Sequence, residues 1–254
     1  DVDNFVATAR AAQQGLNVYE YHAAYPYPPP YSYLLAATVT LTDALGLDPR
    51  LAVRLPNILA DCVLAALVLA SARRLYAPRV AGAIGWAYAL NPVTIMVASH
   101  HGQFDPLAYL PAMIALWLAF SAGNPWWTAF CLGLGGALKV TPMFLATAWW
   151  PDLKSFKRFI LWNGLAGLLF LVSMGAGWLS SPDAFRANVL GYNARAEGGI
   201  GYNMFTLIAE IGARRLGLEA LLGAADLLRR SYKLIIILGV LLTAWWTRRK
   251  PFLQ

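Results

Sequence analysis

The sequence predicts an all-α fold, a polytopic bundle of transmembrane helices whose first outer loop bears juxtamembrane helices. Three observations predict it. Apolar residues make up 59% of the chain and charged residues only 13%, with a mean hydropathy of +0.51, outside the habit of soluble domains. Several apolar runs approach or reach the ~20 residues that a helix needs to cross hydrocarbon. Basic residues cluster where such runs end, at Arg73, Arg74 and Arg79, at Lys154, Lys157 and Arg158, and at Arg248, Arg249 and Lys250. That is the signature of cytoplasmic ends.

The formal charge of +7 therefore reads by location. No basic stripe carries interleaved aromatics, so nucleic acid is not an expected partner. Ten Trp and twelve Tyr supply interfacial anchors. Cys62 and Cys131 lie inside apolar runs and read as free thiols, with no disulfide framework. The chain opens at Asp1 without an initiator Met, and a span is expected to precede it.

Residues 3–14 pattern as a short helix ended by Gly15. The run Tyr25-Pro26-Tyr27-Pro28-Pro29-Pro30-Tyr31 is expected to be non-helical, because consecutive prolines remove donors and fix an extended path. Residues 34–47 are apolar but carry Thr38, Thr40, Thr42 and Asp43, so they are expected at the interface rather than across it. Residues 51–75 form the first full span and 80–99 the second, which returns outward with Asn91 and Pro92 as its main polar or helix-breaking interruptions. Residues 107–120 go back in, a marginal length for a crossing. Residues 126–138 rise, Lys139-Val140-Thr141-Pro142 interrupts, and 143–150 descend as a half-hairpin. Residues 159–178 cross outward, 180–203 form an outer loop, 204–230 suit an amphipathic interfacial helix, and 234–246 make the last span. This places Asp1, Lys139 and the loop at 100–106 on the face away from the basic clusters. The expectation is a single domain over 1–254: outer loop and juxtamembrane helices over 1–50, a span module over 51–178, and outer loop, interfacial helix and last span over 179–254.

The most informative stretch is His100-His101-Gly102-Gln103-Phe104-Asp105-Pro106, a polar island between two apolar runs. A bilayer gives no partners to polar groups, so two imidazoles, an amide and a carboxylate together mark the mouth of a protein-lined pocket. Imidazoles can donate to phosphate oxygens, and Gln103 and Asp105 suit sugar hydroxyls. A metal is not indicated, since no His-x-x-x-His or Glu-x-x-His spacing accompanies them. Lys139 sits at a helix break after Gly133, Gly135 and Gly136; it either snorkels to the interface or serves a phosphate as a point charge. Asp1 and Asp3 precede a helix, as caps or as a general base ionised at neutral pH. Arg54, Asn57 and Asp61 share one helical face and suit either function or interhelical hydrogen bonds. Tyr192 and Arg195 lie in a Gly-containing segment, 188–199, suited to covering a substrate or to an ordinary surface loop.

With these residues in order, the chain resembles the C-type superfamily of membrane glycosyltransferases, and within it the bacterial polyprenol-phosphate-mannose-dependent family. The resemblance rests on Asp1, Phe5, Ala7, Ala11, Gly15, Tyr19 and Tyr27-Pro28-Pro29, on Asn91-Pro92, on Gly102-Gln103-Phe104-Asp105, on the stretch from Gly136 to Pro142 with its Lys, and on Tyr192 and Gly201. The chain departs from the family at Ile200, where a Trp is usual. The resemblance implies an inverting transfer of a hexose, mannose first, from a polyprenyl-phosphate sugar to a lipid or glycan acceptor. The site would lie on the outer face of a bacterial plasma membrane, with no cofactor required. Asp1, with Asp3 in reserve, would be the base. Lys139, His100 and His101 would hold the donor phosphate; Gln103, Asp105, Tyr27, Tyr192 and Arg195 would line the sugar and acceptor site. The competing readings are a lipid or sugar transporter, whose site would sit near the midplane on broken helices, and a non-catalytic sugar-lipid-binding subunit.

Overall fold

The computed structural model describes residues 2–21, 25–120, 124–152 and 155–190, with positions 212, 217, 238, 239 and 242 beyond them. The chain divides into two units between residues 190 and 191, and the elements described below lie in the first. Among the described residues every regular element is helical, as the composition predicts.

Helix α1 (Val2–Gln13) buries Val2, Phe5, Thr8 and Ala9 on one face. Gly15, at φ 70°, stops it in the left-handed conformation that glycine adopts without a Cβ penalty. A single turn, α2 (Val18–Tyr21), follows. Helix α3 (Pro29–Ala44) starts inside the proline run, which corrects the expectation that all of residues 25–31 are non-helical. The N–H groups of a first helical turn have no intrahelical partner, so Pro29 and Pro30 lose nothing there and arrive with φ already set. Only the segment before Pro29 is irregular. At 16 residues, α3 is shorter than the ~20 that a crossing needs. Arg10 clasps α1 to α3 through a paired contact with Asp43, one arm at 2.8 Å, and Gln13 Nε2 donates to Thr40 Oγ1 at 2.9 Å. The hydrogen bond and charge of Arg10 hold the Asp43 carboxyl below its ordinary pKa.

Three stretches among the described residues are long and apolar enough to cross a membrane: Pro49–Leu75, Pro78–His100 and Phe156–Ser180. The first is α4 (Pro49–Leu75), whose cap Asp48 accepts from the Arg50 N–H at 2.8 Å. The second is broken. It comprises α5 (Pro78–Ala89), a stop at Leu90-Asn91, the turn α6 (Pro92–Ile95) capped by Asn91, and a π-turn over Met96–His100. The break falls at Asn91-Pro92, the interruption read from the sequence. Helix α7 (Asp105–Phe120) and helix α8 (Pro125–Leu138) are apolar but shorter, 16 and 14 residues. A 3-10 segment, Thr141–Asp152, then folds back against α8, and α9 (Phe156–Ser180) completes the set.

The outer loop expected over 180–203 begins instead as helix, with α10 (Pro182–Phe185) and a π-turn over Arg186–Leu190. An aromatic anchor accounts for it. The buried Phe185 ring meets Tyr19 edge to face at 5.0 Å, and Asn188 Nδ2 donates to the Tyr19 carbonyl at 2.6 Å. The expected interfacial helix and last span lie outside the described residues, save for isolated positions. Cys62 and Cys131 are free thiols, as read from their apolar surroundings.

Helices α7, α8 and α9 pack through glycines. A Cβ at Gly133 would stand 2.6 Å from the Ala166 carbonyl oxygen, and one at Gly135 would stand 2.6 Å from that of Ala108. Neither can be relieved by turning a side chain, because the obstacle is backbone. Close approach of small residues is the usual basis of helix association in lipid. Gly135→Ala is expected to destabilise the protein by about 1–3 kcal/mol, read as an earlier thermal unfolding in detergent. Gly164, where an added Cβ meets nothing within 4 Å, is the control, and its Ala variant should be no less stable than the parent. Equal stability of both variants would show that the α7–α8 contact yields.

Candidate functional site

The island folds back onto the start of the chain. Gly102 adopts φ +63°, and a Cβ there would lie 2.9 Å from Val2 Cγ2 and 3.0 Å from Val53 Cγ1. Both the backbone conformation and the space require glycine. Asn57 Nδ2 reaches from α4 to the Gly102 carbonyl at 3.1 Å while also donating to Val53 O at 2.8 Å. Asn57 thus ties α4 to the island, a structural role. Arg54 lies beside it, its Cγ 3.8 Å from that same Gly102 position.

Phe104 is the pivot. It is fully buried, stacked on Tyr31 with centroids 3.6 Å apart, and edge to face with Tyr27 at 4.7 Å and with Phe5 at 6.1 Å. This aromatic cluster joins α1, the proline run, α3 and the island into one core. Burial, with smaller contributions from neighbouring groups, pushes the Tyr19, Tyr25 and Tyr31 hydroxyls well above the usual phenol range. They are neutral structural groups.

Directly after Phe104, Asp105 opens α7. Its Oδ1 accepts from Lys139 Nζ at 2.6 Å, with the two side chains only 34% and 19% exposed. Lys139 can reach it because α7 and α8 are packed neighbours, so the beginning of α7 and the end of α8 meet. Lys139 ends α8 in an extended conformation, φ −151° and ψ 139°, which carries its stem away from the helix. Its ammonium lies 5.6 Å from the centre of the Tyr27 ring and 5.4 Å from that of Phe104, within cation–π range. The Tyr27 hydroxyl donates to Gln103 Oε1 at 3.4 Å, a long contact. Four of the residues singled out in the sequence, Tyr27, Gln103, Asp105 and Lys139, therefore converge on one spot.

Asp105 also lines a cavity of about 470 Å³ between α4, the broken span and α7. Its walls are almost wholly apolar, with Leu64 and Val68 from α4, Val97 from the π-turn, and Met113 and Leu116 from α7. From Asp105 to Leu116 the cavity follows α7 for about 16 Å. Tyr88 donates to Asp61 at 2.9 Å, and both residues line the same cavity. Asp61 thus has an interhelical partner, again the structural alternative.

The remaining candidates are placed differently. Asp3 is exposed on the first turn of α1, and its Oδ1 accepts from Arg50 Nε at 2.9 Å. His100 and His101 are exposed, with their rings edge to face at 5.3 Å. Asp1, Tyr192 and Arg195 lie outside the described residues. Among the described residues no three His, Cys, Asp or Glu side chains gather as a metal site would require. Sequence reasoning missed Phe104 as an anchor and Tyr88 as the partner of Asp61. An aromatic inside an otherwise polar island was the one available signal for Phe104.

A helical bundle with broken and half-length helices, in which three stretches among the described residues are long and apolar enough to cross a membrane, defines a polytopic membrane protein. Residues 25–253 match the model of glycosyltransferase family 87, and the chain belongs to that family. No curated protein and no solved structure matches it. It is an integral membrane glycosyltransferase.

Proposed function

We propose that the chain transfers a hexose, mannose by resemblance, from a polyprenyl-phosphate sugar to a hydroxyl of a lipid or glycan acceptor, with inversion, on the outer face of a bacterial plasma membrane. The observation that carries this is that Asp105, which lines the apolar cavity, holds the Lys139 ammonium at 2.6 Å. A lipid-linked donor has the same layout, a phosphate joined to a hydrocarbon chain. A cation beside an apolar slot suits both parts at once, and a nucleotide sugar would have no use for the slot.

In the reaction the acceptor oxygen forms a bond to the anomeric carbon as the bond from that carbon to the phosphate oxygen breaks. The electron pair stays on phosphate, and the acceptor proton passes to a carboxylate, proposed to be Asp1 with Asp3 in reserve. Lys139, with His100 and His101, would offset the charge growing on the leaving phosphate, where preorganised cations act most strongly. Tyr27 and Gln103 would face the sugar, and Tyr192 and Arg195 are proposed to cover it. Phosphate flanked by cations is a workable leaving group without a metal.

The test offers radiolabelled polyprenyl-phosphate mannose and a nucleotide-linked mannose separately to the protein in nanodiscs. Transfer from the lipid-linked donor alone is the expected result. Transfer from the nucleotide sugar alone overturns the donor assignment, and movement of the lipid across the bilayer with no sugar transfer would favour transport.

A further inference from the structure

We propose that Asp105 makes the site tell donor from product by charge, admitting the phosphodiester and expelling the phosphomonoester. The inference rests on the lipid-phosphate reading above and assigns Asp105 a role beyond contacting sugar. Lys139 is not a free cation waiting for an anion. Its ammonium already holds a carboxylate at 2.6 Å, and the pair is shielded by the Tyr27 and Phe104 rings. Any phosphate that approaches Lys139 must share it with, or take it from, a fixed negative charge.

That competition falls unequally on the two lipids. The donor is a phosphodiester with one negative charge. When the acceptor oxygen takes the anomeric carbon and the acceptor proton leaves to the base, the lipid is left as a monoester. The second ionisation of a phosphate monoester lies near pH 6, so above that pH the product carries close to two charges. Beside Asp105 in a partly enclosed site, the second charge meets repulsion that water screens poorly. The site is then biased toward releasing what it has made, which matters for a lipid product that cannot simply diffuse into water.

Other ionisable groups face this position. Lys139 comes from the end of α8, Tyr27 from the proline run, and Tyr31 from α3; Asp61, Tyr88 and Tyr109 line the same cavity. His100 and His101 precede it in the island. All of them are common to the parent and to every Asp105 variant, so a difference between two lipids on changing Asp105 isolates its charge.

The experiment measures binding of undecaprenyl phosphate, a monoester, and undecaprenyl methyl phosphate, a diester of fixed single charge, to the protein in nanodiscs. Asp105→Asn is expected to tighten the monoester about tenfold at pH 8 and the diester about threefold or less, with the gap closing at pH 5, where both ligands carry roughly one charge. Asp105→Glu, which restores the charge, should keep the parent's discrimination and guards against a folding artefact. Equal tightening of both lipids, a gap that persists at pH 5, or loss of discrimination in Asp105→Glu overturns this inference and leaves the donor assignment standing. A folded parent that binds neither lipid overturns both.

Discussion

Asp1→Asn is expected to lower transfer from a polyprenyl-phosphate hexose by about 10²–10⁴-fold, the usual worth of a positioned general base, while Asp3→Asn stays within about threefold. The two carboxylates are separated by one residue, but Asp3 is engaged. Its Oδ1 is held by Arg50 at the first turn of α4, both side chains more than half exposed, and an exposed pair of this kind contributes little to stability. Asp3 thus ties α1 to α4. The residue that follows Asp1 in the chain, Val2, is buried against Gly102 of the island, so the start of α1 is anchored at the candidate site. Loss of the base should depress kcat with little change in donor KM, because a proton acceptor acts mainly in the transition state. It should also flatten the acidic limb of the pH–rate profile. The opposite pattern, full activity in Asp1→Asn and collapse in Asp3→Asn, would make Asp3 the base and Arg50 the group that orients it.

What the sequence made legible were features set by local or one-dimensional rules. Apolar length gave α4, the Pro78–His100 stretch and α9; Gly15 gave the end of α1; Asn91-Pro92 gave the break. The polar island was legible because polar groups between apolar runs cannot be left to lipid. Pairings between helices were not legible. Lys139 and Asp105 are 34 residues apart and meet only because α8 returns beside α7, so neither residue's spacing reveals their pairing. Asp61 and Tyr88 are 27 residues apart and show the same limit. The proline run misled for a different reason: proline opposes the interior of a helix but suits its first turn, and the sequence does not say which turn begins there. Gly133 and Gly135, read as small residues near a phosphate, owe their identity to backbone contacts with α9 and α7 that no spacing reveals. Gly135 still serves the site, since the close α7–α8 approach brings Lys139 within reach of Asp105.

Lys139→Met is expected to lower kcat for transfer by about 10²–10³-fold, the range found when one preorganised charge-stabilising group is removed from a site, and to raise donor KM as well. Two effects combine. The leaving phosphate loses the cation that offsets its growing charge. In addition Asp105, two-thirds buried against the aromatic cluster and the cavity, loses its partner and confronts the donor as an unopposed negative charge, a costly arrangement in a poorly hydrated place. The double variant Lys139→Met/Asp105→Asn separates them. Removing both charges should restore donor KM to within about threefold of the parent while kcat stays depressed. Lys139→Arg keeps the charge but replaces a compact ammonium by a planar fork, so it should retain part of the rate. If instead Lys139 only snorkels, and Asp105 only caps α7, both single variants would transfer at close to the parent rate with shifts confined to thermal stability. The separation of KM from kcat in the double variant is therefore the decisive measurement, because a structural ion pair has no means of producing it.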